Sequence, residues 1–488
     1  MKKLFKKLSL TKKDYLLLII LTCLISSIFF LRISSSYRMP FNYNYDSDFG
    51  RDLLRMYEIL HGKFTLIGPQ LSFAGLHMAP YYFYIFAPFL LLSSFDHRIL
   101  FYINGLFFLI GLILLFLFFG KKWKKYYSFL SILWLVTTPY IILAARSPGN
   151  AFSYLILFIF TIIVVLYKNK ISKKLHFAIG MLEGLIINFH PINIFITIPM
   201  HLGRIIFLER KSLKEKVKTS ILAILGIGLM FSPIALFEFK HGFIITKNLL
   251  DPSYYFSFFG SSKFEFSTLI QSFIDFNITT FNLIPLSMFG LFFLICVLFF
   301  KIKRSRNLTL VLTIIFLNIL FLALMRQGAS HYFLPTLLLL QLALIIQINK
   351  FKFRNIIISV LIGINILLFP IRLYQPARNL THLENNFIKI DRANFLPHDD
   401  LNVILINETY LSKVGYEYRY LLKKYNYSVD DEYSYNKSKY LMVIDEQSTV
   451  KEIKNELSWE FDQFGNKKLL RTNRINETTF FLFEKEIH

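Results

Sequence analysis

A cluster of carboxylates follows the first long apolar segment of the chain. Asp46, Asp48 and Asp52 come shortly after residues 15–33, at what would be a membrane boundary. Ionisable groups there are costly unless they bind or react with something, so the cluster indicates a catalytic or binding site held against the bilayer face. A second interpretation is that Asp46 or Asp48 only caps the helix that comes next.

The segment after these acids predicts a short amphipathic helix. Leu53, Leu54, Tyr57 and Leu60 recur at helical spacing, and Gly62 then ends the helix. A helix of this kind would position the carboxylates at its beginning.

The composition predicts an all-α polytopic membrane protein. Hydrophobic residues make up 55% of the 488 residues, and the mean hydropathy is +0.49. Apolar runs of roughly 18 to 22 residues recur along the chain, each long enough to cross a bilayer. We predict about eleven transmembrane helices from these runs. They are residues 15–33, 98–120, 128–145, 151–168, 176–190, 192–208, 217–237, 282–300, 308–325, 333–349 and 355–373.

The net charge of +24 does not indicate nucleic-acid binding, because the basic residues stand in short clusters between apolar runs, as topology signals do. These clusters are 121–125, 168–174, 209–218, 301–306 and 350–354. All of them share the cytoplasmic side with the Lys-rich N-terminus if residues 79–95 do not cross the membrane. That piece is short and carries Pro88, which agrees with a juxtamembrane or re-entrant segment.

This topology puts the N-terminus inside and the candidate chemistry outside, in a multi-pass protein of a bacterial-type cytoplasmic membrane. The outer face receives a first loop, 34–97, with juxtamembrane helices, and the C-terminal residues 374–488. In the latter, segments 401–406 and 440–444 read as short strands between polar helices. We therefore predict a transmembrane domain, 1–373, and a small α/β extracytoplasmic domain, 374–488.

The sequence carries no motif for a bound cofactor. Cys23 and Cys296 both lie in apolar spans, so they make neither a disulfide framework nor a cysteine metal site. No glycine-rich phosphate loop and no metal-ligand spacing is present. No metal site is predicted, and a requirement for a divalent metal ion stays open.

Several short motifs occur in a characteristic order. Leu66–Pro69 and the Tyr-rich Pro80–Pro88 follow the carboxylates, and Phe189–Pro191, Pro233–Phe243 and His331–Tyr332 come later. Their order and sidedness resemble the membrane glycosyltransferases of the GT-C fold. More narrowly, the chain is similar to the family 39 and ArnT-like group, which uses polyprenyl-phosphate sugars. The resemblance covers the predicted transmembrane domain.

The resemblance implies an Asp-Glu pair in the first outer loop, about fourteen residues before the helix-ending glycine. Counting back from Gly62 leads to Asp48, but the next residue is Phe49, where the family often has Glu. Asp46 and Asp52 are the candidates for the second acid. In an outer cavity, Asp48 would serve as the general base that takes the proton of an acceptor hydroxyl.

A lipid-phosphate leaving group would need cations at the membrane boundary. Arg326, His331 and Tyr332 share one predicted outer turn and are the first candidates for the donor phosphate. Arg146 stands at another predicted outer helix end, where an interfacial arginine with its charge in the headgroup region is an equally good interpretation.

Three further residues form a second tier, each with a structural alternative. His190 precedes a proline and could simply end a helix. Glu238 could pair with Lys240 at the end of a span. Tyr82, like its neighbouring tyrosines, could belong to an interfacial aromatic belt before it contacts sugar or lipid.

These observations predict a GT-C-type glycosyltransferase. It would move one sugar from a polyprenyl-phosphate carrier to an acceptor on the outer face of the membrane; the sugar and the acceptor stay open. The first alternative is a transporter or flippase of lipid-linked glycans, although the chain lacks the paired repeats and mid-span charges typical of transporters. The second is a non-catalytic envelope assembly protein.

Overall fold

The computed structural model describes nine stretches of the chain, which are residues 12–35, 47–71, 76–167, 171–251, 306–324, 330–367, 380–406, 413–446 and 459–486. Most of these residues are helical, and a small sheet lies toward the C-terminal end. The predicted combination of a mostly helical protein with a small sheet is therefore confirmed.

The described α-helices are numbered along the chain. They are α1 Lys12–Ser35, α2 Ser47–Leu60, α3 Tyr81–Leu92, α4 Arg98–Lys122, α5 Lys125–Thr137, α6 Pro139–Arg146, α7 Asn150–Ser153, α8 Leu155–Tyr167, α9 Lys173–Phe189, α10 Ile194–Gly203, α11 Leu213–Leu229, α12 Ser232–Lys240, α13 Ile244–Leu250, α14 Arg306–Leu324, α15 Ser330–Ile348, α16 Arg354–Leu367, α17 Leu380–Arg392, α18 Tyr416–Lys424 and α19 Trp459–Phe464. A 3₁₀ turn, Pro191–Asn193, precedes α10, and a π-helical turn, Arg204–Leu208, comes after it.

Two helical segments of the described part are long and apolar enough to cross a membrane. They are Arg98–Lys121 in α4, and Pro191–Leu208, which includes α10 and its flanking turns. A third span results if α11 and α12, which are bent by 58° relative to each other, are counted as one. The predicted count of about eleven spans is therefore not confirmed, and the predicted span 282–300 lies outside the described residues.

Several predicted spans are shorter or broken in the structure. The predicted helix 128–145 divides at Thr138, because Pro139 starts α6 and cannot continue the hydrogen-bond ladder of α5. Six other apolar helices of the described part have 10–17 residues, namely Asp14–Ser27, Tyr81–Leu92, Asn150–Leu166, Arg306–Leu322, Tyr332–Ile348 and Arg354–Ile366.

Helix α3 occupies the apolar piece that we predicted not to cross the membrane. It has 12 residues and includes Pro88. At a rise of about 1.5 Å per residue it is roughly 18 Å long, which is less than the hydrocarbon thickness of about 30 Å. Its length thus agrees with a segment that does not span the bilayer by itself.

Helices α9 and α11 pack with their backbones in close contact. A Cβ atom on Gly180 would lie 2.1 Å from the carbonyl oxygen of Ala223, and one on Gly226 would lie 2.3 Å from that of Phe177. Glycines at such crossings let two helices approach closely, which is a common way of packing helices in membranes. Any larger side chain here would push the helices apart.

The chain folds into two compact units. The first comprises residues 1–32, 65–82 and 101–371, and the second comprises 33–64, 83–100 and 372–488. The first contains most of the apolar helices. The second contains α2 and the sheet. The division into domains at residue 373 stays a prediction.

The sheet of the second unit has the strand order β1-β2-β4-β3. The strands are β1 Leu401–Ile406, β2 Tyr440–Asp445, β3 Lys467–Ile475 and β4 Thr478–Lys485. Strands β1 and β2 are parallel, and the other neighbours are antiparallel. The two predicted strands are thus β1 and β2. Strand β3 was missed because its polar, largely exposed residues show no apolar alternation.

The core of the second unit lies against this sheet. Apolar residues of β1, β2 and β4 pack with α19 and with Tyr435 in one buried cluster. Its members are Ile404, Ile406, Tyr435, Leu441, Val443, Phe461, Phe464 and Phe483. Burial of these side chains supplies the main favourable free energy for this part of the fold.

Candidate active site and its supporting residues

Helix α2 carries the predicted carboxylates. It begins at Ser47 and ends at Leu60, and Gly62 comes next but one with a φ of +89°, a conformation that favours glycine. The predicted amphipathic helix and its glycine end are therefore confirmed. Its apolar side chains, among them Leu53 and Leu54, are buried in the protein. This apolar face therefore packs against other parts of the protein, and the placement of the carboxylate site at the bilayer face stays a prediction.

Asp48 lies in the first turn of α2 and is exposed to solvent, with 78% of its side chain accessible. The guanidinium of Arg51 donates to its Oδ1 at 2.9 Å. A carboxylate can accept several hydrogen bonds, so this contact leaves it acceptor capacity. Asp46, the other candidate for the helix cap, lies outside the described residues.

Asp52 lies on the buried side of the same helix. Phe49 is buried, and Asp52 stands three residues later, so the two lie on one face, one turn apart. Arg51 donates to Asp52 Oδ1 from Nε at 3.2 Å and from Nη2 at 3.0 Å. Burial raises the pKa of Asp52 to about 6, although Arg51 acts in the opposite direction. Asp52 is thus a buried carboxylate on the same face of α2 as Phe49, and its role as the second acid stays a prediction.

Helix α2 is held in place by α18. The backbone of Glu417 lies so close to Gly50 that a Cβ there would be 2.7 Å from its nitrogen. The hydroxyl of Tyr57 donates to the carbonyl of Lys423 at 3.0 Å. These contacts join residues more than 360 positions apart, which is why sequence periodicity could not predict them.

A network of ion pairs strengthens the same packing. Arg55 pairs with Glu58 at 2.6 Å and also with buried Glu432. Lys63 and Lys423 approach Glu58 at 3.2 and 3.4 Å. Because Glu58 and Glu432 are buried, removal of their cationic partners would leave uncompensated charges. The network therefore fixes the orientation of the helix that carries Asp48.

The candidates for the donor phosphate are only partly described. Arg326 lies outside the described residues. His331 lies in the first turn of α15, and Arg146 is the last residue of α6, in agreement with its predicted place at a helix end.

Two of the predicted residues come together in the first unit. The rings of His190 and Tyr332 make an edge-to-face contact with centroids 5.3 Å apart. The ring of Tyr154, which no sequence motif indicated, is stacked with that of His190 at a centroid distance of 6.4 Å. His190 ends α9, as the structural alternative predicted. The imidazole of His190, at the end of α9, therefore contacts two aromatic rings, those of Tyr154 and Tyr332.

The structural alternatives for Tyr82 and Glu238 are corrected. Tyr82 is fully buried and donates its hydroxyl to the carbonyl of Pro148 at 2.7 Å, so it does not belong to an interfacial belt. Glu238 accepts from the backbone nitrogens of Ile245 and Thr246 at 2.8 and 2.7 Å. It therefore caps α13, because a carboxylate stabilises the free N–H groups of a helix start, and no ion pair with Lys240 is formed among the described residues.

A chain of buried ionisable side chains in the first unit has no counterpart among the predicted site residues. Oε2 of Glu183 lies 2.8 Å from Nδ1 of His201, whose Nε2 lies 2.9 Å from Nδ1 of His176. Nε2 of His176 lies 3.2 Å from Glu209, which also pairs with Arg204. The residues come from α9, α10 and the π-helical turn with its C-cap, so no short sequence window contains them.

In the part of the chain that the structure describes, no group of three or more His, Cys, Asp or Glu side chains is arranged to hold a metal ion. The histidine and glutamate side chains of the first unit form a line of pairwise contacts and do not converge on one point.

The comparison with known proteins identifies the fold of the chain. No protein-family model matches the sequence, and no curated protein matches it. The crystal structure of ArnT from Cupriavidus metallidurans bound to undecaprenyl phosphate is similar, with a TM-score of 0.62 over 97% of this chain and 98% of that chain, at 10% identity. The chain has the ArnT-like GT-C fold. The apo structure of the same ArnT covers 95% of this chain and 97% of its own, with a TM-score of 0.58, also at 10% identity.

Proposed function

We propose that this chain is a membrane glycosyltransferase that transfers a sugar from a polyprenyl-phosphate donor to an acceptor on the outer face of the cytoplasmic membrane. The observation that carries the proposal is the ArnT-like fold over nearly the whole chain, since one such structure holds undecaprenyl phosphate. The exposed carboxylate of Asp48, at the beginning of an anchored helix, supports a catalytic role.

The reaction would use Asp48 as the general base. The oxygen of an acceptor hydroxyl forms a bond to the anomeric carbon, while the bond from that carbon to the phosphate oxygen breaks. The electron pair of the broken bond goes to the lipid phosphate, and the hydroxyl proton goes to Asp48. Arg51 would hold the carboxylate in position, because its guanidinium contacts both Asp48 and Asp52.

The lipid phosphate gains negative charge as it leaves, so the proposal also needs cations near it. Arg326 and His331 are the first candidates and Arg146 is the next. His190 and Tyr332 would be supporting residues, because their rings are in contact. A variant of a phosphate ligand would raise the KM for the donor, whereas a variant of the base would lower kcat.

The deciding experiment replaces Asp48 by Asn in the purified enzyme. Asn keeps the size and most of the hydrogen bonding of Asp but cannot accept the proton at neutral pH. We expect turnover on a matched polyprenyl-phosphate sugar to fall by roughly 10² to 10⁴, the range typical of losing a positioned acid or base. The thermal unfolding temperature should change little, since the side chain is exposed.

Asp462→Asn is the matched control, because Asp462 is an exposed carboxylate in the first turn of another helix, α19. It should keep wild-type turnover. Unchanged turnover of Asp48→Asn would remove the proposed base. If wild-type protein in vesicles moves lipid-linked glycans across the bilayer without transfer, a flippase replaces the transferase; if it does neither, an assembly role remains.

A further inference from the structure

An apolar cavity of about 180 Å³ lies within the first unit, between helices α4, α8, α14 and α15. Most of its lining is aliphatic and includes Ile162, Val311, Leu342 and Ala343, and the ring of Phe119 also lines it. These side chains are buried, so the cavity penetrates between the helices. An empty apolar space forfeits dispersion contacts along its walls, and an apolar chain would restore them.

The polar lining residues of the cavity all lie near helix ends. Asn307 is the second residue of α14, and its Nδ2 donates to the carbonyl of Leu166 at 3.0 Å. Gln347 is near the end of α15, and its Oε1 accepts from Nζ of Lys350 at 2.8 Å. Lys350 is exposed, and its ammonium has three N–H donors, of which this contact uses one.

The sequence segments that adjoin the cavity helices near these polar residues are strongly basic. Helix α4 ends shortly after Phe119 in the cluster 121–125, and α8 leads into the cluster 168–174. The cluster 301–306 leads into α14, and the cluster 350–354 comes after α15. Four of the five basic clusters therefore adjoin, in sequence, the helices of one cavity, and this positive charge favours an anionic over a neutral ligand group there.

We propose that this cavity binds part of one acyl chain of an anionic phospholipid of the surrounding bilayer, with the lipid phosphate at Lys350. The apolar walls match the chain, and the basic end matches the headgroup, as in other basic pockets between membrane helices. The site differs from that of the proposed sugar donor, because the basic clusters mark the predicted cytoplasmic side and the transfer reaction is proposed for the outer face.

The test uses the full-length protein, delipidated in a neutral detergent. Phosphatidylglycerol or phosphatidylcholine with the same oleoyl chains is added, and the thermal unfolding temperature is measured. Wild-type protein should gain several degrees with phosphatidylglycerol and clearly less with phosphatidylcholine, since only a bound ligand stabilises by mass action. Lys350→Gln should respond to both lipids equally, whereas Lys350→Arg should keep the preference.

Two further variants fill the cavity. Ala343→Phe and Val311→Phe should each lose most of the response to phosphatidylglycerol, and Lys352→Gln, at a neighbouring exposed lysine, should respond like wild type. If either filled variant is too unstable to purify, the phosphatidylglycerol that co-purifies with wild type and with Lys350→Gln is compared by mass spectrometry, and at least a twofold loss is expected.

Three results would overturn the proposal. The first is a Lys350→Gln protein that still prefers phosphatidylglycerol or co-purifies with as much of it. The second is a filled variant that keeps the full response. The third is a polyprenyl phosphate that displaces phosphatidylglycerol from wild type, which would assign the cavity to the carrier lipid. Each of these readouts is independent of sugar transfer, so it does not depend on the proposed activity.

Discussion

At the scale of single residues, Asp48 and Asp52 differ in which face of α2 they occupy. Asp48 is exposed and Asp52 is buried, and Arg51 contacts both. A base with a pKa near 6 would be well matched to neutral pH, but a buried carboxylate is a poor partner for an incoming acceptor. The exposed residue therefore fits the role of base, and the buried one fits that of an anchor for Arg51.

We predict that Asp52→Asn lowers turnover less than Asp48→Asn does. Asn at this position removes a buried charge but can still accept from Arg51 through its amide oxygen. Kinetics of both variants with the same donor would check this. A loss at Asp52 as large as that at Asp48 would instead make Asp52 the second catalytic acid, in place of the carboxylate missing at Phe49.

Because the side chain of His97 is buried, we predict that the stability of the protein depends on pH. Burial lowers its pKa to about 4, against about 6.5 in an unfolded chain. The folded state thus favours the neutral ring. The part of the free energy of unfolding that depends on the neutral ring is fully present above pH 6.5 and is lost as the pH falls toward 4. Its full size is about 3 kcal/mol by linkage.

The measurement for this residue compares thermal unfolding of wild type and His97→Gln at pH 7.5 and pH 4.5. Gln does not titrate, so the variant should lose less stability between the two pH values. Equal losses in both proteins would mean that other groups dominate the acid response.

At the scale of elements, local patterns were sufficient for some features and insufficient for others. Helix α2 was predictable from its apolar spacing and Gly62, and β1 and β2 were predictable from short apolar runs. The contacts of α2 with α18, and the chain from Glu183 to Glu209, depend on residues far apart in sequence. Periodicity reports which face of a helix is buried, but it does not report which element covers that face.

The close crossing of α9 and α11 predicts that alanine has different effects on stability at two glycines. Gly180→Ala should destabilise the protein by roughly 1 to 3 kcal/mol, because the new Cβ would overlap the carbonyl of Ala223. Gly228→Ala, in α11, meets nothing within 4 Å and should be neutral or stabilise by up to about 1 kcal/mol. Unfolding temperatures in one detergent would compare them, and an unaffected Gly180→Ala protein would contradict the close contact.

At the scale of the whole molecule, the fold is retained at 10% identity to the ArnT structures. The helical class was predictable because hydropathy constrains membrane segments strongly. The number of spans was not, because breaks at Thr138 and after Leu229 divide apolar runs that look continuous in sequence. Fold similarity does not specify the acceptor or the sugar, which depend on particular side chains.

The sidedness of the molecule can be tested in a background without Cys23 and Cys296. We predict that Lys124→Cys reacts with a membrane-impermeant maleimide only after cells are opened, whereas Tyr433→Cys reacts in intact cells. Both positions are exposed, so access depends on the side of the membrane. Labelling of position 124 in intact cells would invert the charge-based topology.

The π-helical turn Arg204–Leu208 makes this part of the chain sensitive to its length. The backbone nitrogen of Glu209 donates to the carbonyl of Arg204, five residues earlier, at 3.1 Å. Deletion of one residue, such as exposed Ile206, would restore ordinary α-helical spacing and rotate the residues after it by about 100°. Glu209 would then point away from His176, so one codon lost here would separate a carboxylate from its buried partner while every neighbouring side chain kept its identity.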